Sequence, residues 1–296
     1  MSDKSKGWLN GMAAVLIFSG STAGTRLAVG GLDPFFLTAA RAGIAGLLSA
    51  LLLIAFRAPL PARADLPRLG IVAFGVVLGF PLLSALAMQD ISAARALVFQ
   101  GLLPLMTALF GVMRGGERPR PLFWLFSTAG AGMIGAFALA RGADSSLRGD
   151  LLILLAVVVC GLGYAEGATL SRRLGGMNVI AWALVLCLPV ALPAAFLLTP
   201  AAPAAVPATA WAGLAYVSLF SMLIGFIFWY RGLALGGIAA VSQLQLLQPM
   251  FGLAVSALLL HEAVGWPMVA TTVCVIACVT GARRFSHPPA LRGRPA

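Results

Sequence analysis

The sequence predicts an all-α integral membrane protein with ten transmembrane helices, arranged as two inverted five-helix repeats. Its composition is 60% hydrophobic and only 10% charged, whereas about a quarter of the residues in a soluble protein are charged. Apolar runs recur with short breaks, and a run of about 20 residues is long enough to cross a bilayer as a helix. The third observation is an internal duplication.

The duplication shows as a set of residues that recurs 145 positions later. Its members are Gly30-Gly31 and Gly175-Gly176, Asp33 and Asn178, Gln100 and Gln245, Pro104 and Pro249, and Glu117 and Glu262. We therefore divide the chain into a first repeat, residues 1–143, and a second repeat, residues 144–296. Five helices is an odd number, so the second copy inserts upside down. Inverted repeats around a midplane site are typical of secondary transporters.

Hydropathy defines the individual helices in chain order. The first is kept as a helix rather than a cleaved signal peptide, because its apolar run is long and no convincing cleavage site interrupts it. The polar segment 141–150 joins the repeats, and the Pro- and Ala-rich segment 199–210 is a semi-rigid connector. The ten predicted ranges are 10–28, 35–56, 69–88, 93–113, 121–140, 150–171, 178–198, 209–230, 238–260 and 266–282.

The net charge of +11 reflects membrane orientation rather than nucleic-acid binding. Arg26, Arg95, Arg141 and Arg148 fall on one side of the ten-helix arrangement and Arg41 falls within a span. All the other Lys and Arg residues fall on the opposite side. By the positive-inside rule the side with more basic residues is cytoplasmic, so both termini are predicted to lie in the cytoplasm. Basic residues on that side also contact anionic lipids.

The spacing of the cysteines and histidines does not indicate a metal site or a redox site. The four cysteines, at 160, 187, 274 and 278, all lie at predicted membrane depth without a CxxC or Cys/His pattern. We expect inert thiols in the helix packing, no metal and no cofactor.

Two helices carry matching polar stripes that supply several of the candidate site residues. Spacings of three and four place Gln100, Pro104 and Thr107 on one helical face, and Ser242, Gln245 and Pro249 on another. A proline in mid-helix kinks the chain and frees a carbonyl, while a glutamine offers donors and acceptors that lipid cannot satisfy. Both stripes therefore indicate a cavity wall, with helix-packing contacts as the alternative.

Further candidates come from other helices. Gln248 lies near Gln245, whereas Gln243 points elsewhere and contacts a neighbour. Ser hydroxyls often bond their own helix backbone, which is the simpler interpretation of Ser19. Aromatic side chains at mid-membrane either line an amphipathic pocket or pack ordinarily. Apart from Gln248, the candidate binding residues on these other helices are Ser19, Thr22, Phe80, Tyr164, Phe226 and Tyr230.

Two charged residues, Glu166 and Arg41, lie clearly inside predicted spans rather than at their ends. Glu166 is a candidate for proton coupling, since intramembrane acids are functional by default; its place near the cytoplasmic helix end favours snorkelling or pairing with Arg172 or Arg173. Arg41 either holds an anionic group or braces the second helix, and bracing is the interpretation that we favour.

Several segments together resemble the EamA branch of the drug/metabolite transporter superfamily. They are LDPFFLTAARAGIAGLLSALLL, LVFQGLLPLMTALFGVMRGGERP and SQLQLLQPMFGLAVSALLLHE, which match its second, fourth and ninth helices. Within that branch the chain most resembles YddG-like amino-acid exporters. The resemblance implies a multi-pass protein of the bacterial inner membrane, with a central cavity bounded by the first, third, fourth, sixth, eighth and ninth helices.

The resulting hypothesis is a secondary transporter that exports small amphipathic metabolites, with neutral or aromatic amino acids favoured. The alternative is a drug or other metabolite exporter of the same superfamily. A membrane-embedded enzyme is disfavoured because the only histidines, His261 and His287, sit at a helix end and in the tail. No symmetric filter motif supports a channel. The expected partners are a small-molecule substrate and the lipid bilayer, without nucleic acid and with a monomer as the simplest state.

The topology can be tested by cysteine accessibility. Single cysteines introduced into segments 141–150 and 199–210 should react with an impermeant reagent in intact cells, because both segments are predicted to face outward. Cysteines in segment 114–120 should react only after permeabilisation. Labelling of the reverse set would reject the orientation.

Overall fold

A computed structural model describes residues 2–115, 119–140, 146–260 and 266–285, and regular structure throughout these residues is helical. Glu117, Glu262 and His261 lie outside the described residues. Short 3₁₀ turns cover Arg63–Asp65, Pro203–Ala205 and Gln243–Leu247, and π-helical segments cover Ala73–Gly79 and Val217–Ile224. The α-helices are α1 (Asp3–Ser19), α2 (Ser21–Val29), α3 (Pro34–Ala55), α4 (Leu66–Val72), α5 (Phe80–Asp90), α6 (Ala93–Gln100), α7 (Leu103–Gly115), α8 (Pro121–Ala140), α9 (Leu147–Leu174), α10 (Gly176–Leu197), α11 (Ala208–Tyr216), α12 (Gly225–Gly236), α13 (Ile238–Ser242), α14 (Gln248–Leu260) and α15 (Trp266–Phe285).

Helical structure occupies each predicted range, but several ranges are divided. Seven helical stretches in the described part of the chain are long and apolar enough to cross a membrane: Asp3–Val29, Pro34–Ala55, Arg63–Asp90, Leu147–Leu174, Gly176–Leu197, Ala208–Gly236 and Ile238–Leu259. The protein is therefore an all-helical, multi-pass membrane protein. The count of ten spans and the inverted arrangement stay predictions.

The two halves begin their second long helix differently. Asp33 caps α3, where its carboxylate accepts hydrogen bonds from the backbone N–H groups of Phe35 and Phe36, and Pro34 occupies a first-turn position that needs no N–H. Asn178, the counterpart of Asp33, lies inside α10 and its side-chain amide donates to the Leu174 carbonyl at 2.8 Å. Here the turn depends on Gly175, whose φ of 83° suits glycine best.

Irregular helical segments recur in both halves. The π-helical segment Val217–Ile224 overlaps the positions 145 residues after Ala73–Gly79. A turn at Gly101–Leu102 separates α6 from α7, and the 3₁₀ segment Gln243–Leu247 occupies the equivalent region between α13 and α14. Short π segments and 3₁₀ stretches within helices often mark functional sites, so these interruptions identify where to look for one.

Glycines allow the closest approach between helices from different halves. Near one end, α1 packs along α12, and a Cβ added to Gly7 would lie 2.5 Å from the backbone nitrogen of Gly236. Toward the other end, α2 packs along α11, and a Cβ on Gly213 would lie 2.5 Å from the Gly24 carbonyl oxygen. Helices in lipid associate through such close packing of small residues.

We expect Gly7→Ala to lower the thermal stability of the purified protein. Its new methyl group would meet backbone atoms of Gly236, which cannot rotate away, and overpacking of this kind costs about 1–3 kcal/mol. The matched control is Gly132→Ala, because a Cβ at Gly132 would meet nothing within 4 Å. Thermal unfolding in detergent should show a lower midpoint for the first variant only; equal midpoints would contradict this packing contact.

Candidate functional site

A cavity lies between the two halves of the chain. The first half contributes residues from α1, α2, α3, the first π-helical segment, α5, α6 and α7, while the second contributes residues from α9, the second π-helical segment, α12 and α14. The cavity offers about 30 Å³ to the centres of water molecules, which is room for roughly two waters. Its lining consists of Phe18, Ser21, Thr22, Thr25, Arg41, Val76, Phe80, Pro81, Ser84, Met88, Gln100, Leu103, Tyr164, Ser221, Phe226 and Gln248.

Amide and hydroxyl groups from both halves meet in one network. Thr22 donates its hydroxyl to the side-chain oxygen of Gln100 at 3.3 Å, and the Gln248 amide nitrogen approaches the same oxygen at 3.5 Å. All three side chains are buried. The long distances leave these groups weakly bound to one another, and therefore available to a ligand at little cost.

Aromatic rings form another part of the lining. The rings of Phe18 and Phe226 lie 4.9 Å apart between centroids, and Tyr164 meets Phe226 edge-on at 5.6 Å. Phe80 also lines the cavity. Amides together with aromatic rings give the cavity both a polar and an apolar surface, which suits an amphipathic ligand.

Five predicted binding residues do not line the cavity in this conformation. Ser19 donates to the Val15 carbonyl at 2.6 Å and Ser242 to the Ala239 carbonyl at 3.2 Å, so both hydroxyls bond their own helix. Tyr230 donates to the Gly163 carbonyl at 3.3 Å. Thr107 and Gln245 are buried, and their side-chain polar atoms make no well-formed hydrogen bond, although Tyr164 lies near Gln245. A binding role for these residues stays a prediction.

The sequence analysis missed several polar lining residues. Thr25 and Ser84 line the cavity, as do Ser21 and Ser221, whose hydroxyls are bonded at 2.8 Å. Ser221 lies 145 residues after Val76, another lining residue. The 145-residue offset relates these two positions. The sequence does not reveal the relation, because a valine and a serine have no chemistry in common. Gln243 makes the neighbour contact expected for it, accepting from Ser127 at 3.1 Å.

The predicted kink prolines stand directly after the interruptions. Pro104 is the second residue of α7 and Pro249 the second residue of α14. The first turn of a helix tolerates proline because its N–H groups have no partner there. Each proline thus starts a new helix segment just beyond the cavity residues Gln100 or Gln248.

Glu166 is buried, but its partners differ from those favoured by its sequence neighbourhood. Its carboxylate pairs with Arg114 of α7 and lies 3.9 Å from the guanidinium of Arg68 in α4. Arg173 instead pairs with Asp65. Glu166 therefore joins three helices, and it is absent from the lining of the described cavity.

The fold and cavity define a helical, multi-pass membrane protein with a cavity between its two halves. The model of the EamA-like transporter family matches residues 5–140 and again residues 147–283. The chain is 61% identical over 286 residues to the "Uncharacterized transporter YdeK" of Bacillus subtilis (strain 168), covering 97% of this chain and 100% of that protein. The chain belongs to the EamA-like transporter family, as the resemblance predicted, and is a membrane transporter.

A solved crystal structure shares the fold. It aligns with a TM-score of 0.75 over 96% of this chain and 99% of its own, at 19% sequence identity. At that identity the similarity concerns the fold alone.

We predict that Glu166→Gln lowers thermal stability but leaves the pH dependence of transport unchanged. A neutral amide loses the charge-assisted bond to Arg114, worth about 1.5–3 kcal/mol, and the longer ion pair with Arg68, while the cavity keeps its lining. The measurements are thermal unfolding and counterflow across a series of pH values. Asp3→Asn is the control, since Asp3 is exposed and pairs with Lys6 at 3.5 Å. A pH dependence that disappears in Glu166→Gln would instead identify Glu166 as the proton carrier.

Proposed function

We propose that the protein exports small amphipathic metabolites, with neutral or aromatic amino acids as its preferred substrates. The observation that carries this proposal is the cavity between the halves, where a buried amide network faces aromatic rings. The ammonium group of an amino acid would bind amide and carbonyl oxygens, and its side chain would contact the rings.

The narrow cavity favours an alternating-access mechanism. Space for about two waters does not hold an amino acid, so the lining must separate when substrate enters. Two of the bonds that link the halves across the cavity are weak: Gln100 with Gln248 at 3.5 Å and Arg41 with Ser221 at 3.5 Å. These bonds are easily exchanged for bonds to a substrate, which is how binding would shift the balance between two conformations.

The weakly bound amide of Gln245 also supports two conformations. A buried polar group without a well-formed hydrogen bond is costly; neither polar atom of this side chain makes one, although Tyr164 lies near it. A second conformation that brings Gln245 to the cavity would satisfy them. Gln245 would then serve as the second-half equivalent of Gln100.

Inverted repeats give a structural basis for such a change. The matching π-helical segments supply one lining residue each, Val76 and Ser221. If the second repeat inserts upside down, an exchange of conformations between the repeats converts an outward opening into an inward one. We place the protein in the bacterial cytoplasmic membrane, in keeping with its Bacillus relative. From the distribution of basic residues we expect both termini in the cytoplasm.

Export of drugs or other metabolites is the second candidate function. The aromatic part of the lining would also accept an apolar ring without amino or carboxyl groups. Purified protein in liposomes should distinguish the two: saturable counterflow of L-phenylalanine supports the first candidate. Saturable flux of aromatic cations alone supports the second, and unsaturable flux would indicate a pore.

We expect Gln100→Ala and Gln245→Ala to raise the KM for counterflow. Each lost hydrogen bond to substrate is worth about 0.5–1.5 kcal/mol, or roughly 2- to 13-fold in affinity. Gln243→Ala is the matched control, because Gln243 is buried and bonds Ser127 away from the cavity. If all three variants lose thermal stability and none changes KM, the glutamines serve packing alone.

A further inference from the structure

We propose that Arg41 binds a carboxylate of the transported molecule and so restricts the cargo to amphipathic carboxylic acids. The inference rests on the transport function proposed above and narrows its substrate class. A carboxylate contact at Arg41 would favour amino acids and similar acids over cationic or neutral drugs as substrates. Arg41 lies in α3 on the wall of the cavity, and its side chain is 95% buried, with an exposed fraction of 5%.

The guanidinium group of Arg41 is incompletely bound. One terminal nitrogen donates to the Val217 carbonyl at 3.4 Å and to the Ser221 hydroxyl at 3.5 Å, both at the limit of hydrogen-bond length. The buried Nε atom has no partner. A guanidinium carries five N–H donors in a fork that matches a carboxylate, so this side chain retains donors for a ligand.

Carboxylates within the described part of the chain do not neutralise Arg41. Six acids are described, and each interacts elsewhere. Asp33 caps α3, and the other five form ion pairs: Asp3 with Lys6, Asp65 with Arg173, Asp90 with Arg148, Asp150 with Arg95, and Glu166 with Arg68 and Arg114. A buried charge without a counter-ion is strongly unfavourable. An anionic group of the cargo would supply that counter-ion.

Bracing, the role favoured from sequence, agrees less well with these contacts. A brace for the π-helical segment Val217–Ile224 would hold it with short, aligned bonds, as Arg95 holds Asp150 with two bonds of 2.7 Å. Arg41 makes only two long bonds and leaves Nε unused. Its position on the cavity wall, rather than between closed helices, points to a ligand.

The rest of the lining defines the remainder of the cargo. Phe18 and Phe226 offer an apolar surface, while the side-chain oxygen of Gln100 is an acceptor for an N–H donor. A carboxylate at Arg41 would thus be joined to an apolar group, with an ammonium group as an additional point of recognition.

The test compares acids with matched compounds that lack the carboxylate. Thermal stabilisation of the purified protein reports binding, and the probes are L-phenylalanine, 3-phenylpropionate, L-phenylalanine amide and phenethylamine. Wild-type protein should bind the two acids and bind the amide and amine at least tenfold more weakly. Equal binding of acids and amide, or no binding of either acid, would overturn the proposal.

Two variants then identify Arg41 as the cause. Arg41→Gln should weaken binding of the acids about 10- to 100-fold, the range for hydrogen bonds to a charged group, without changing binding of the amide. Arg41→Lys should recover part of the loss. Arg148→Gln is the control, because it removes the same charge from an exposed pair with Asp90 and should leave binding of the acids unchanged.

The remaining outcomes are equally decisive. Unchanged affinity for the acids in Arg41→Gln, or an equal loss for the amide, would reject a carboxylate contact. Failure of both Arg41 variants to fold would assign the residue to bracing and overturn the proposal. Binding of acids without saturable uptake into liposomes would leave the role of Arg41 standing and contradict the proposed transport.

Discussion

Close backbone contact through glycine is the constraint on which the arrangement of the helices depends. Helices in lipid gain nothing from hiding apolar side chains, so their association requires backbones that approach closely. The pair α1 and α2, divided at Gly20, packs against the second half, and its contacts include two close glycine pairs, Gly7 with Gly236 and Gly24 with Gly213. The cavity residues of this pair, Phe18 to Thr25, lie around the second of these contacts. The glycine contacts hold the halves together beside a cavity across which some bonds, such as Gln100 with Gln248 at 3.5 Å, are weak.

Irregular backbone is concentrated around that cavity. Lipid cannot satisfy free backbone groups, so interruptions of a helix are tolerated where protein or a cavity surrounds them. The two π-helical segments overlap at the repeat offset but present an apolar side chain, Val76, in one half and a polar one, Ser221, in the other. The duplication thus gives the two halves matching backbone segments that carry side chains of different polarity. Such a site can recognise a molecule whose two ends differ.

Hydropathy locates the helices well because it identifies the long uninterrupted runs of apolar side chains along the sequence. The predicted range 121–140 matches Pro121–Ala140, and 35–56 differs by one residue at each end from Pro34–Ala55. Hydropathy does not report the π-helical segments, since an extra residue per turn leaves the side chains equally apolar. Sequence proximity was also a poor guide to the ion pair of Glu166, whose partners Arg68 and Arg114 are distant in the chain. Spacing placed Gln100 and Gln245 as equivalents, but the different paths of their segments set only Gln100 on the cavity in this conformation.

The narrowness of the cavity has an electrical consequence for the cell. A charge crossing an energised membrane gains about 2.3 kcal/mol for every 100 mV, so any continuous thread of water through a carrier would let protons dissipate the stored potential. In this conformation the cavity has room for only about two waters, too few to form such a thread across the membrane. The positive charge of Arg41 on the cavity wall also repels cations, much as an arginine excludes protons from water-selective pores. Both features oppose a leak of protons through this cavity when no substrate is bound.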